Sequence, residues 1–558
     1  MCNINNFYEN LKYMAPEYVS TYLESETNQF CYVPLNLLDN YLYYDYVNFS
    51  TFWSKVFISL SPELFLMFAI IVYLCFIKNF NNFYISILFF YFTLVFELIL
   101  LFSNILFFMN SGSIGTSLPI LCFHSCFVFD IYSSFSKIVI IFFLIIIGIF
   151  SEFKLTWNKP ISADIFIPVF FFILFSLFLL SAFDLFTGYL ALEGVSLSLY
   201  TLTANTYQKR VAIEASVKYL VFGGISNGIL LFGNSIFFAI FGSLSYLEIK
   251  FLLNRVFFNL SSFSICVGLI CFIIVFWFKV AAFPCHQWSP DVYEGVWLPI
   301  TTILIVLVKL LYFFFFFKIF FYVFIKLMYI WQPLMLLSSL GSLVIGSFGI
   351  IGQNRIKRFM AYSSINHVSF ILLGMACGTL TGLTATLMYL LVYCLTLLIF
   401  FGFLLNIRCL VTGRSLIYLS DLANLTKFSN FGSTGLLIVL FSMGGLPPLA
   451  GFFTKFYIYV EAISSGFYIF VFFSLIITIV STFYYLFFLK SIFFDKNLWS
   501  NLICLNFSRR LSFYIAFISC VFLTAFIFIN SYVYILMLRL AISLYCPTFS
   551  TFFNLLCW

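Results

Sequence analysis

Apolar stretches of roughly 20 residues recur from Pro62 almost to the end of the chain, and each can cross a ~30 Å hydrocarbon core as a helix. In lipid, every backbone N–H and C=O must find its partner within the protein, which leaves helices or a closed barrel. Barrel strands alternate polar and apolar positions, and the run Ile138–Phe150 does not. The chain is therefore expected to be an all-α multi-pass membrane protein. Only 8% of its 558 residues are charged, against about a quarter in a water-soluble domain.

About 14 transmembrane helices are expected from span length. The first three lie near residues 62–77, 84–108 and 128–150. Five follow near 163–183, 185–204, 211–242, 260–283 and 298–317. Five more lie near 323–349, 360–378, 383–411, 435–461 and 466–489, and the last near 511–538. Residues 1–58 form a polar, Tyr-rich extension outside the membrane, 59–540 one membrane domain, and 541–558 a tail. Loops after odd-numbered spans carry about twice as many Lys and Arg as the opposite side, which marks them as cytoplasmic or matrix-facing. The poorer side is assigned Lys12, Lys55, Lys250, Arg255, Lys318, Lys326 and Arg539.

Five lysines (Lys137, Lys218, Lys279, Lys309 and Lys455) lie inside the apolar runs. A charge at that depth must shift its pKa, find a partner or line a water-filled path. Two spacings point to a repeat. Lys279 precedes a break at Pro284, and Lys455 follows a break at Pro447 and Pro448; they are 455 − 279 = 176 residues apart. Glu193 and His367 are 367 − 193 = 174 residues apart. The expected plan is two inverted five-helix repeats, near 163–317 and 323–489, each with a Pro-broken helix, as in ion transporters.

Each polar site has two readings. Glu193 lies ~16 Å into its helix and Lys218 ~10 Å into the next, so the two are within reach of each other. Alternatively, Lys218 pairs with Glu214 one turn earlier and Glu193 takes a proton. Lys309 has no charged neighbour on its own helix, so its partners must come from other spans. His367 is suited to relaying protons between lysines, although Ser363, Ser364 and Asn366 offer it a purely structural setting. Lys137 has Asp130 seven residues before it, which fits an intrahelical or lipid head-group pair.

Cys122, His124 and Cys126 look metal-like but stand isolated in an apolar loop, so no metal site is read there. The chain has no phosphate-binding loop, no iron–sulfur cysteine set and no haem histidine pair. It is expected to bind no cofactor itself, and the energy for moving protons must come from a partner.

The segments FPCHQWSPDVYEGVWLP (283–299), NRIKRFMAYSSINHVSF (354–370) and GGLPPLAGFFTKFYIY (444–459) resemble blocks of the antiporter-like membrane subunits of respiratory complex I. LEGVSLSLY and EASVKYLVFGG are similar to that family's glutamate- and lysine-bearing helices, and the SPDVYEG form points to subunit 2 of the proton-translocating NADH:ubiquinone oxidoreductase. The resemblance covers about residues 60–490 and implies 14 helices with two half-channels. It also implies a proton path through Glu193, Lys218, Lys279, Lys309, His367 and Lys455. Quinone reduction elsewhere in the complex would drive that path. The whole complex uses NADH, FMN, iron–sulfur clusters and ubiquinone. Implied partners are other membrane-arm subunits, including neighbouring antiporter-like ones, accessory subunits and lipids, with no nucleic acid. The implied setting is the mitochondrial inner membrane. Two other classes fit the residues: a cation/proton antiporter working without NADH-oxidising partners, and a scaffold carrying relic lysines.

Overall fold

The computed structural model describes residues 49–76, 83–110, 120–123, 125–157, 163–205, 210–255, 262–409, 416–423, 425–428, 430–494, 503–504 and 510–545. Most of the expected N-terminal extension, the tail beyond residue 545 and His124 lie outside the described residues. Met1–Leu60 and Ser61–Trp558 are separate compact units. Of the first, residues 49–60 are described and are helical; the account below concerns the second.

The helices are α1 (Phe49–Phe76), α2 (Phe83–Asn110), α3 (Ile131–Trp157), α4 (Phe166–Ser181), α5 (Leu185–Ala204), α6 (Arg210–Phe241), α7 (Tyr246–Arg255), α8 (Ser262–Val280) and α9 (Trp288–Gly295). They continue with α10 (Leu298–Val323), α11 (Met328–Ile350), α12 (Ile356–Ala376), α13 (Leu380–Asn406), α14 (Asn430–Gly444), α15 (Ala450–Ser464), α16 (Tyr468–Phe493) and α17 (Arg510–Tyr545). Twelve of the described helices are long and apolar enough to cross a membrane, and Phe166–Ser181 and Gly432–Gly444 are shorter apolar ones. The strands among the described residues form two small antiparallel ribbons, Ile120–Cys122 with Phe127–Phe129 and Arg408–Cys409 with Ile503–Cys504.

Helix α10 is the axis of the bundle: every residue from Leu298 to Phe324 is buried. Helices α12 and α13 are nearly as enclosed, whereas α2, α16 and α17 turn Leu88, Phe92, Ile479 and Phe528 outward. The expected span ending near residue 317 continues to Val323, so Lys318 is not in a loop. It is 4% exposed, and its Nζ donates to the carbonyls of Ala182 (2.8 Å) and Leu180 (3.5 Å), at the end of α4. Cations are favoured at such a carbonyl-rich terminus, which explains how a lysine is tolerated at this depth.

Candidate functional site

The first interrupted helix, α8, ends where Ala281 takes a left-handed conformation (φ 60°). The N–H of Ala282 bonds the Trp277 carbonyl at 2.9 Å and that of Ala281 bonds Phe278 at 3.3 Å. This is a Schellman cap, made here with alanine rather than the usual glycine. Pro284 follows and cannot extend the helix. Lys279 therefore stands in the last turn of a helix that stops inside the protein. Its Nζ donates to Asn227 Oδ1 at 2.7 Å, and Asn227 Nδ2 donates to Ser196 Oγ at 3.3 Å, which joins α8 to α6 and α5. A cavity of about 10 Å³, room for one water, lies against Lys279 between Tyr219, Ser226, Trp288 and Tyr312. Glu193, one turn before Ser196 on α5, accepts a hydrogen bond from Tyr189 and lies within electrostatic reach of Lys279.

Lys309 follows a five-residue π-helical stretch, Ile303–Leu307, in which the Val308 N–H reaches back to the Ile303 carbonyl. Such wide turns leave carbonyls off the regular ladder and recur at functional sites. The lysine is 1% exposed and donates to Ser364 Oγ on α12 at 2.9 Å.

His367, three residues beyond Ser364, is sandwiched by tyrosines. Its Nδ1 lies 2.7 Å from the Tyr389 hydroxyl, its Nε2 3.4 Å from the Tyr485 hydroxyl, and its ring 4.9 Å from that of Tyr393. The serine and asparagine neighbours expected from the sequence are not its recorded partners.

The second interruption separates α14 from α15. Gly445 (φ +81°) ends α14 with the same cap, Leu446 N–H bonding the Phe441 carbonyl at 3.1 Å. Lys455 folds back from α15 and donates to the carbonyls of Met443 and Gly444, both at 3.0 Å. Lys279, Lys309, His367 and Lys455 are thus all buried, and their recorded hydrogen bonds go to uncharged groups.

Lys218 stands apart from these four. The side chain is 40% exposed and ion-pairs with Glu214 at 2.8 Å and with Asp291 at 3.3 Å. The expected Glu193–Lys218 contact is not formed. Helix α9 brings Asp291 to the lysine, and Tyr189 occupies the glutamate. Asp291 also takes Arg358 at 3.1 Å, and Glu294 takes both Arg355 and Arg358, so the acids of the SPDVYEG segment tie α6, α9 and α12 together on the positive-rich side. Sequence reasoning missed these acids, which sit in an apparently ordinary polar loop.

Lys137 does not pair with Asp130. It ion-pairs with Glu63 of α1, while Asp130 Oδ1 caps α3 by accepting from the Ser133 N–H at 2.7 Å. Glu63 and Glu97 were missed, though a lone acid in each of two apolar runs was the available signal.

The family described as "NADH:quinone oxidoreductase/Mrp antiporter, TM" matches residues 182–481. The "NADH-quinone oxidoreductase subunit N" of Pelagibacter ubique (strain HTCC1062) is 32% identical over 409 residues, covering 71% of this chain and 82% of that protein. The "NADH-ubiquinone oxidoreductase chain 2" of Marchantia polymorpha is 34% identical over 322 residues, covering 57% of this chain and 65% of its own length. Among solved structures, a chain of respiratory complex I from Thermus thermophilus with bound aureothin superposes with a TM-score of 0.69 at 22% identity, covering 85% of this chain and 98% of that one.

Proposed function

This chain belongs to the NADH:quinone oxidoreductase/Mrp antiporter membrane family, and we propose that it is the proton-translocating subunit 2 of a mitochondrial NADH:ubiquinone oxidoreductase. The working part is the membrane domain 59–540. It carries no redox centre of its own, and electrons move elsewhere in the complex between NADH, FMN, iron–sulfur clusters and ubiquinone. Its partners are the adjoining antiporter-like and accessory membrane-arm subunits and lipids.

One observation supports the proton path most directly: Lys279, Lys309, His367 and Lys455 are buried and bonded to neutral groups. A buried lysine locked to a carboxylate gives up its proton only by abandoning a charge. One held by an amide, a hydroxyl or carbonyls leaves no orphaned ion behind. Within the proposal, Glu193 and Lys218 begin the row. Quinone reduction shifts Lys218 away from Asp291 and towards Glu193, and the change in field drives proton release and uptake at Lys279, Lys309, His367 and Lys455 in turn.

The test is Lys279→Ala in the intact complex, reconstituted in vesicles. The complex should assemble and oxidise NADH while its proton-to-electron ratio drops. A normal ratio in the assembled variant removes Lys279 from the path. Co-migration of the chain with NADH-dehydrogenase activity on native electrophoresis separates this reading from that of a free-standing antiporter.

A further inference from the structure

Three ionisable side chains that the row does not use converge between α1, α2 and α3. Lys137 ion-pairs with Glu63, and Glu97 lies within electrostatic reach of both. Glu63 and Glu97 are 0% exposed and Lys137 is 2% exposed. Both oxygens of Glu97 and Oε2 of Glu63 have no hydrogen-bond partner among the described residues. The Phe129 ring covers the ammonium at 4.6 Å.

The depths agree as well. Glu63 is 63 − 56 = 7 residues past the start of its span at Val56, and Lys137 is 137 − 131 = 6 past Ile131. Glu97 is 106 − 97 = 9 residues before the end of its span at Leu106. At 1.5 Å per residue all three lie roughly 9–14 Å below one face, on the side opposite the basic loops.

One ammonium cannot neutralise two carboxylates, and an uncompensated charge among apolar helices is costly. A single added proton balances the group and turns a bare acceptor of Glu97 into a donor. We propose that Glu63, Lys137 and Glu97 form a proton-binding site separate from the row, holding one exchangeable proton on the carboxyl pair. The proton associates with a carboxylate oxygen and leaves as a hydron, with no other bond made or broken. Lys318 of α10, nine residues beyond Lys309, lies within electrostatic reach of Lys137 and of Asp130. Occupancy of the site is therefore felt on the bundle's central helix.

Charge balance makes the test specific. Infrared difference spectra of the purified intact complex, comparing each variant with wild type, report protonated carboxyl groups. Glu97→Gln and Glu63→Gln should each remove one carboxylic-acid C=O band, because one carboxylate then balances one lysine. Lys137→Met should instead raise that band about two-fold, since two carboxylates then need two protons. In D₂O the wild-type band should shift, because the proton exchanges. If Glu97→Gln does not assemble, Glu97→Asp keeps the carboxyl and should return the band at a displaced frequency. No band lost in either glutamine variant, no gain in Lys137→Met, or a band unmoved by D₂O overturns the proposal. None of these readings depends on Lys279, so failure of the row and failure of this site are told apart.

Discussion

Lys279 donates to Asn227 Oδ1 at 2.7 Å, and the same amide turns its NH₂ to Ser196 at 3.3 Å. The asparagine is thus the joint between the lysine at the first helix break and the helix that carries Glu193. Asn227→Asp keeps the shape and places a full negative charge on the lysine. An ammonium paired with a buried carboxylate is held more tightly than one bonded to a neutral amide by about 1 kcal/mol or more, so the proton should be retained and coupled pumping slowed about ten-fold. The check is the proton-to-electron ratio of the assembled complex, with Asn227→Ser, which leaves a neutral acceptor, expected to fall less. Equal pumping in wild type and Asn227→Asp would exclude a neutral partner as a requirement.

Two glycines with left-handed backbones separate a conformational cost from a functional one. Gly445 (φ +81°) and Gly466 (φ +85°) both place an alanine at a penalty of about 1–2 kcal/mol. Around Gly466 there is open space, but a Cβ on Gly445 would meet Lys455 Cδ at 2.9 Å and Nζ at 3.0 Å. Gly466→Ala should therefore lower thermal stability and leave pumping intact. Gly445→Ala should lower stability and also impair pumping, because it pushes the ammonium off the carbonyls of Met443 and Gly444. Residual NADH oxidation after heating measures the first effect, and proton uptake per electron measures the second.

Much of the architecture could be read in advance because charge inside oil is conspicuous. Lys279, Lys309, His367 and Lys455 stood out for that reason, and all four are buried. Their partners did not stand out. Asn227, Tyr389 and Tyr485 are neutral and look like ordinary helix residues until the helices meet, and Ser364, read as a neighbour of His367, serves Lys309. For Lys218 the local partner Glu214 was legible one turn away and is present at 2.8 Å, but its second partner, Asp291, and the partner of Lys137, Glu63, lie 73 and 74 residues away in the chain. For Lys137, local reasoning looked two turns away to Asp130 instead. Lys318 misled in the opposite sense: with one span ending near 317 and the next starting near 323, it falls among the loop charges. The carbonyl end of α4 lets the helix run through the first of them.

The acids after the first break should differ in weight. Asp291 is 43% exposed and its pairs with Lys218 and Arg358 are screened by water, so Asp291→Asn should cost about 1 kcal/mol or less and matter less in high salt. Glu294 is only 15% exposed and holds two arginines. Glu294→Gln should cost about 2 kcal/mol and loosen α9 from α12. Thermal inactivation of the membrane-bound complex at low and high ionic strength gives both numbers. Equal costs for the two would mean that burial does not set the strength of this network.

The second interruption depends on a contact that tolerates no side chain. A Cβ on Gly451 would sit 1.8 Å from the carbonyl oxygen of Ser442 and 2.8 Å from its carbon. These are backbone atoms of α14 and cannot swing aside as a side chain would. Gly451→Ala must force α15 away from α14 and with it lift Lys455 from the carbonyls it caps. A cost of about 3 kcal/mol or more is expected for such overpacking, enough to deplete the subunit from the assembled complex on native electrophoresis. Gly224 of α6 has nothing within 4 Å of the same position. Gly224→Ala should therefore assemble normally and gain up to about 1 kcal/mol from helix propensity. If Gly451→Ala assembled as well as Gly224→Ala, the close crossing at the break would not be what positions Lys455.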